Sequence, residues 1–182
     1  MNDVIFIKND KIDVCELKCQ YIPNIFSSEI WPGDDPMKIE NSPHVELLFS
    51  YKKYGLKYNE LFKTRYVRMF QYWNKIGYSV KGTKRDKRYI KKKIVLLIDL
   101  FKSIGKVGLK KKIEVVISPF WLTRYKCDNK NLNGIEIWHG HHRAACLFVL
   151  GIKQTICNFY KDAHPGSLIS KKWESRLKGV KC

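Results

Sequence analysis

Short apolar runs separate longer segments in which apolar residues recur at helical spacing. Five of these runs predict β-strands, at residues 4–7, 12–17, 113–117, 135–138 and 154–160. The strongest is Ile113 to Ile117, where four β-branched residues surround a single glutamate. A turn at Asn9-Asp10 is predicted to separate the first two strands, because both residue types favour turns.

Four segments predict helices, at residues 43–54, 59–76, 89–104 and 143–150. Ser42 is a good N-cap for the first, and Pro43 suits its first position. Gly105 and Gly108 are predicted to end the third helix, and Gly151 to cap the fourth in the left-handed conformation. The pattern predicts an α/β (α+β) fold with a small mixed sheet flanked by helices.

The length of 182 residues suits a single domain, residues 1–182. Residues 42–93 are interpreted as a helical insertion, and residues 162–182 as a basic tail. No apolar run approaches the roughly 18 residues of a membrane span, and the first residues do not resemble a signal peptide. We therefore expect a cytoplasmic protein without a membrane span, with its six cysteines as free thiols.

The formal net charge of +18 is concentrated in one stretch. Residues 81–112 contain thirteen Lys or Arg but only Asp86 and Asp99, a local charge of +11. Such a stretch attracts nucleic acid or other polyanions. The alternative is a solvated surface in a lysine-rich composition, so the charge alone does not establish nucleic-acid binding.

A predicted strand, a glycine turn and a helix with basic residues follow one another around Gly140. The N–H groups at a helix N-terminus bind anions, and glycine lets the main chain approach a phosphate closely. Arg143 could donate to two phosphate oxygens, while His141 and His142 add further donors. The pattern predicts a phosphate site, with an ordinary strand–helix turn carrying surface histidines as the alternative.

The segment Gly140-His141-His142-Arg143-Ala144-Ala145, followed by Leu150-Gly151-Ile152, resembles the second conserved box of ParB/sulfiredoxin-like proteins. The first box of that family is similar to an earlier stretch, which contains Leu100, Ser103-Ile104, Gly108-Leu109 and Ile113-Glu114-Val115. The two boxes occur in the family's order within residues 94–160. The resemblance implies a ParB/sulfiredoxin-like fold that binds a nucleotide at the glycine turn.

Members of this superfamily clamp DNA with CTP, repair sulfinic acids with ATP, or phosphorylate free serine with ADP. Sulfiredoxins have a reactive cysteine where this chain has His141. ParB proper has a helix-turn-helix domain after the second box, for which residues 162–182 are too few. The Gly140-His141-His142-Arg143 form of the turn is closer to the small-molecule kinase branch. It implies an enzyme that uses ATP or ADP, with Mg²⁺, to phosphorylate a small hydroxylated metabolite.

The resemblance also implies roles for individual residues. The predicted nucleotide-binding residues are Gly140, His141, His142, Arg143 and Ser103.

Two residues are candidates for catalysis, Glu46 and His142. Glu46 follows Pro43-His44 in the manner of the kinase branch, so Glu46→Gln is predicted to lower turnover roughly 10²–10⁴-fold with little effect on nucleotide binding. Its alternative role is that of a first-turn helix carboxylate, and Asp34 and Asp35 are rival bases.

Three residues are candidates for binding the acceptor: His44, Arg65 and Arg68. Tyr66 could also bind an anionic acceptor beside the two arginines. Arg65, Tyr66 and Arg68 could equally belong to a helix surface and the core.

His139 stands where related kinases often have an aspartate that helps to hold Mg²⁺. Another carboxylate, such as Glu136, could take that role, or phosphates and water could hold the ion alone. The three neighbouring histidines could instead bind a transition metal, although adjacent residues rarely ligate one ion well.

Two alternative functions stay open. One is a nucleotide-gated nucleic-acid-binding module or nuclease of ParB-like type that uses residues 81–112. The other is a nucleotide-binding interaction protein without catalysis.

Overall fold

A computed structural model describes residues 4–19, 38–75, 86–117 and 135–162, and the fold is given for these residues. Five strands form one mixed sheet: β1 (Val4–Asp13), β2 (Leu17–Cys19), β3 (Ile113–Ile117), β4 (Ile135–His139) and β5 (Gln154–Asp162). Their order across the sheet is β1-β5-β3-β4-β2. β5 is antiparallel to β1 and parallel to β3, while β4 is antiparallel to β3 and parallel to β2.

The predicted turn at Asn9-Asp10 is wrong, because β1 is continuous through both residues. Asn9 pairs with Asn158 and Asp10 with Cys157 on β5. The Asp10 carboxylate accepts from the Lys8 ammonium at 2.9 Å and from the Lys11 N–H at 2.8 Å. Pairing with the nine-residue β5 thus overrides the local turn preference. The one irregularity between β1 and β5 is a register shift between Phe6 and Lys8.

Five helices accompany the sheet: α1 (Pro43–Tyr54), α2 (Tyr58–Leu61), α3 (Arg65–Lys75), α4 (Lys87–Val107) and α5 (His141–Val149). The single helix predicted at 59–76 is two helices. Thr64 lies at the break, where its buried hydroxyl donates to the carbonyl of Leu61 at 2.7 Å. Such a local side-chain bond competes with continuation of a helix.

The predicted N- and C-terminal caps are mostly confirmed. Ser42 Oγ accepts from the N–H of Val45 at 3.3 Å, and Gly151 is left-handed with φ 73°. Gly105, however, does not end α4, which continues to Val107 and is capped by Gly108 at φ 76°. A Cβ at Gly105 would lie 3.4 Å from the Leu150 side chain, an ordinary van der Waals contact, so α4 packs on the end of α5 here without requiring glycine.

The core lies between the sheet and the helices. On β5, Thr155, Cys157 and Phe159 are buried whereas Ile156 is half exposed, so one face of the strand points to the core. The helix α5 is central to this core, with Ala144 to Leu147 almost completely buried. The prediction that Cys146 and Cys157 are core residues is confirmed.

The structure confirms a mixed α/β fold with a small sheet. The ParB/sulfiredoxin-like assignment and the division into boxes, insertion and tail stay predictions. Several predicted features lie outside the described residues: the loop of residues 23–37 with Asp34 and Asp35, most of the tail, and part of the basic stretch at 81–85. Within the described ranges, no helix has the length and apolar character needed to cross a membrane.

The cap of α1 gives a first testable prediction. Ser42→Ala removes a buried side-chain acceptor from the helix N-terminus and should lower the free energy of unfolding by about 1 kcal/mol. Ser103→Ala is the matched control, because Ser103 is exposed on α4 and its change should stay within about 0.5 kcal/mol. Urea denaturation of both variants measures the difference, and equal stabilities would contradict the role of the cap.

Candidate functional site

The turn between β4 and α5 is built around Gly140, the N-cap of the helix. Its φ of 114° and ψ of 21° belong to the region that side chains rarely adopt. Since glycine has no side chain to cap the helix, the cap itself leaves the first-turn N–H groups of α5 without a side-chain acceptor. These groups and the helix dipole give this end of α5 a partial positive charge.

Arg143 folds back over this turn. Its Nη1 donates to the carbonyls of Lys111 and Lys112 at 2.9 and 2.7 Å, just before β3 begins. A Cβ at Gly140 would lie only 2.9–3.2 Å from Nη2, Nε and Cζ of Arg143. The guanidinium therefore ties the turn to β3, while the N–H groups of Nε and Nη2 stay beside Gly140. The predicted role of Arg143 is to donate to two phosphate oxygens, and in the structure its Nη1 donates to main-chain carbonyls instead.

The N-termini of three helices converge at this turn. His44, Tyr66 and His142 are each the second residue of their helix, α1, α3 and α5 respectively. Their rings meet edge to face: the centroids are 4.8 Å apart for His44 and His142, 5.2 Å for His44 and Tyr66, and 6.5 Å for Tyr66 and His142. We call these three residues the ring cluster. Three positive helix ends thus point toward one small volume.

Two of the three helix ends receive side-chain acceptors. Ser42 caps α1, and Glu46 accepts from the N–H of Arg65, the first residue of α3, at 3.1 Å. The N-cap of α5, Gly140, makes no side-chain hydrogen bond to its helix. The ring cluster has one further unsatisfied group, because the buried Nδ1 of His44 has no hydrogen-bond partner among the described residues. Buried polar atoms normally have partners, which makes this volume a candidate for a polar ligand.

His44, His141 and His142 have lowered pKa values, which favour the uncharged form. Burial, with the neighbouring His142 and His141, places the pKa of His44 well below its ordinary value. Burial also lowers the pKa of His141 to about 4. The His142 residue is exposed at the surface, so its desolvation is partial, and together with the positive charges of Lys93 and Arg143 it lowers the pKa of His142. Neutral imidazoles avoid the cost of burying charge beside positive helix ends.

Lys93 on α4 and Lys111 before β3 add cationic groups around the turn. The charge of Lys93 acts on His142, and Lys111 lies 3.8 Å from the half-buried Glu114. Glu114 pairs across the sheet with His139, and its charge raises the pKa of Arg143, which burial lowers. The surroundings are thus mainly cationic and suit a phosphorylated ligand.

Glu46 makes a structural ion pair in this structure. One carboxylate oxygen accepts from the Arg65 N–H, and the other pairs with the Arg65 guanidinium. This contact joins α1 to the start of α3, which positions Tyr66. No described contact connects Glu46 with the Gly140 turn, so its predicted role as a base lacks geometric support. Arg65, predicted to bind the acceptor, is the partner in this pair.

Two other predicted residues are not gathered at the turn. Arg68 is exposed on α3. Ser103 is exposed near the end of α4, two residues from Gly105, which packs at Leu150 beyond the opposite end of α5. Because nine helical residues span about 13 Å, Ser103 is remote from the phosphate site that we predicted. The structure therefore brings together Gly140, His141, His142, Arg143 and His44 of the predicted set.

The described residues do not supply a Mg²⁺ site. They contain no group of three His, Cys, Asp or Glu that could hold a metal ion. The donors at the turn are imidazoles and cations, whereas Mg²⁺ prefers carboxylate and other oxygen ligands. Glu46 and Glu114 are both occupied by basic partners, and the side chain of Glu136 is outside the description. We therefore derive no step through a protein-bound metal.

The contacts that place Tyr66 and Lys93 at the site were not evident from the sequence. Tyr66 was predicted, beside Arg65 and Arg68, either to bind an anionic acceptor or to belong to the helix surface and core, because apolar spacing in a helix does not indicate contact with a distant segment. It is completely buried, yet its hydroxyl reaches the turn 76 residues later. Lys93 was indistinguishable from its basic neighbours in the sequence.

A concave feature lies near the C-terminal end of α5. It is a cleft of ≈ 460 Å³ that contains none of the predicted site residues and is lined by Asp13, Val14, Cys15, Phe148, Gly151, Ile152 and Lys153. The candidate site therefore rests on the Gly140 turn and not on this cleft.

Comparisons with known proteins give no match: no protein family, no curated protein and no solved structure is significantly similar to this chain. Support for a function consequently comes from the chemistry of the turn and from the sequence resemblance.

Substitution of Glu46 tests whether this glutamate has a structural or a catalytic role. Glu46→Gln removes the charge from a half-buried, doubly bonded carboxylate and should cost about 1 kcal/mol of unfolding free energy. Glu60→Gln is the control, since Glu60 pairs with the exposed Lys63 and should lose less than about 0.5 kcal/mol. Urea denaturation decides: an unchanged stability of Glu46→Gln would remove the structural role and restore Glu46 as a candidate base.

The uncharged histidines predict acid sensitivity. Their pKa values are lower in the folded chain, so between about pH 6.5 and 4 the unfolded chain binds more protons, and unfolding free energy falls as the pH falls. Each such histidine contributes a slope of up to about 1.4 kcal/mol per pH unit. Urea denaturation between pH 7.5 and 5 measures this slope. His44→Gln should reduce it, and constant stability down to pH 5 would contradict the burial of neutral imidazoles.

Proposed function

We propose that this chain binds a nucleotide, ATP or ADP, through its phosphates at the N-terminus of α5, and transfers a phosphoryl group to a small hydroxylated metabolite. The observation that carries the proposal is the convergence of three helix N-termini at Gly140, with Arg143 and Lys93 beside it. The resemblance of residues 94–160 to the ParB/sulfiredoxin-like kinases supports the same ligand. The helix N-termini and the sequence resemblance both indicate a phosphate site at Gly140.

The residues at the turn have distinct proposed roles. Main-chain N–H groups after Gly140 would bind phosphate oxygens, and the absence of a Cβ at position 140 makes room for the Arg143 guanidinium beside them. The N–H groups of Arg143 Nε and Nη2 lie on the same side and would add charge-assisted hydrogen bonds. Lys93 would act through its charge alone, since its ammonium lies over the Tyr89 ring. This set is suited to the terminal phosphates and not to the nucleobase.

Phosphoryl transfer requires mainly positioning and charge stabilisation from a protein. In the proposed reaction the acceptor oxygen bonds to the terminal phosphorus as the bond to the bridging oxygen breaks, and the hydroxyl proton passes to solvent. Neither Glu46 nor Glu114 is free to take that proton, since each has a basic partner. Guanidinium and helix-end groups would stabilise the charge on the transferring oxygens.

The basic stretch is less available to nucleic acid than its charge suggests. The ammonium groups of four of its lysines lie over aromatic rings: Lys87 over Phe62, Lys91 over Tyr58, Lys93 over Tyr89 and Lys102 over Tyr51. These contacts give the lysines a packing role within the domain. Nucleic-acid binding is therefore the competing outcome of the experiment below.

Titration calorimetry with ATP and with ADP, each with and without Mg²⁺, tests the proposal. Arg143→Ala should weaken binding roughly ten- to 150-fold, equivalent to about 1.5–3 kcal/mol, because it removes charge-assisted hydrogen bonds. Arg88→Ala is the control, since Arg88 is exposed in the first turn of α4 and should not affect affinity. Thermal unfolding checks that Arg143→Ala remains folded despite losing its bonds to Lys111 and Lys112.

Absence of nucleotide binding by the unaltered protein would overturn the proposal. Binding to random duplex DNA that weakens steeply with salt would then favour the nucleic-acid alternative. If nucleotide binds, a screen of hydroxylated acceptors for ATP or ADP consumption tests the transfer step. Binding without turnover on any acceptor would favour an interaction protein.

A further inference from the structure

Tyr66 has no role in the proposed function so far. It is completely buried, and its ring packs edge-on to Phe70 at 5.2 Å and to His44 at the same separation. Its hydroxyl oxygen lies 3.5 Å from Nε2 of His142, a long contact at the edge of hydrogen-bonding range. Packing on two sides fixes the direction of the hydroxyl, so the contact with His142 is defined by the fold.

The chemistry of the two groups decides which one donates. Burial raises the pKa of Tyr66 well above its ordinary value, so the phenol keeps its proton. His142 is surrounded by Lys93 on α4, Arg143 and His141 on its own helix, His44 on α1 and Tyr66 on α3, none of which is anionic. Such surroundings keep the imidazole neutral, with one nitrogen as donor and the other as acceptor. A phenol that donates to Nε2 leaves the imidazole proton on Nδ1.

We propose that Tyr66 is a positioning residue that fixes the tautomer of His142, so that a neutral Nδ1–H of His142 serves as a hydrogen-bond donor to the phosphates at the α5 N-terminus. Nδ1 is attached to Cγ and is the ring nitrogen nearer the main chain of the first helical turn. Nε2 is directed away to Tyr66. This inference rests on the proposed function for the identity of the ligand, but the Tyr66–His142 contact exists in the free protein.

A neutral donor has a consequence for phosphate recognition. A cationic histidine would bind phosphate more tightly as the pH falls, whereas a neutral one already donates at neutral pH. His142 would thus differ from Arg143, whose contribution depends on charge. The proposal also changes the predicted catalytic role of His142. Its acceptor nitrogen, Nε2, contacts the Tyr66 hydroxyl, so His142 would act as a donor through Nδ1–H and not as a base.

The tautomer can be measured directly in the free protein. Long-range ¹H–¹⁵N NMR correlations of histidine-labelled protein at pH 7 distinguish Nδ1–H from Nε2–H, and the five histidines can be assigned with single His→Gln variants. We expect Nδ1–H for His142, and a change toward Nε2–H in Tyr66→Phe. Tyr89→Phe is the matched control, because Tyr89 contacts Phe70 in the same aromatic group but not His142. An Nε2–H form in the unaltered protein, or no change in Tyr66→Phe, would overturn the proposal.

Two substitutions of His142 test the donor position with ATP as the probe. Asparagine places its amide N–H near the position of Nδ1, whereas glutamine places its own near Nε2. We expect His142→Asn to bind ATP within about threefold of the unaltered protein and His142→Gln to bind about tenfold more weakly, or about 1.4 kcal/mol. Retained affinity in His142→Gln with a loss in His142→Asn would contradict an Nδ1 donor.

Failure of this inference is distinguishable from failure of the proposed function. If the unaltered protein binds neither ATP, ADP nor pyrophosphate, the phosphate site and the donor role fail together, while the NMR spectrum of the free protein still decides the Tyr66–His142 contact. If nucleotide binds but the two His142 variants behave alike, only the donor assignment is overturned.

Discussion

The structure depends on the burial of uncharged imidazole where three helix N-termini meet. A cationic side chain there would face positive helix ends, and an apolar one would leave no donor or acceptor for the polar groups nearby. Neutral histidine satisfies both constraints. The ring contacts among His44, Tyr66 and His142 then fix the relative positions of α1, α3 and α5. The phosphate site that we propose is a by-product of the same packing, because it uses the helix ends that this packing brings together.

The interactions that position the ring cluster come from separate parts of the chain. Ser42 starts α1, the Glu46–Arg65 pair starts α3, and Gly140 starts α5, so each ring is placed by a separate local interaction. Arg143 adds the connection to β3 through the carbonyls of Lys111 and Lys112. Changes at these positions should therefore act on the site through geometry as well as through chemistry. A loss of function in any one variant needs a stability measurement before a role in binding is assigned.

Sequence patterns predicted helix ends correctly where the end is determined by residues only a few positions apart. Ser42, Pro43 and Gly151 act as predicted, because caps depend on residues a few positions apart. The errors occurred where distant segments decide. Asn9-Asp10 is held straight by β5, Gly105 stays helical against Leu150, and Glu46 is engaged by Arg65. For the site, the motif from Gly140 to Arg143 identified the turn, but Tyr66 and Lys93 could be recognised only once the helices were packed.

The topology of the sheet has a consequence for the order of folding. β1 pairs with β5, so residues near 4–13 find their partners only at 154–162, while β5 also pairs with β3. Contacts between such distant segments slow folding, because a large loop must close before they form. During synthesis β1 would leave the ribosome long before its neighbour in the sheet. Until β5 is made, the N-terminal strand is an unpaired edge that must avoid wrong partners, a task for which the charged Lys8, Asp10 and Lys11 are well suited.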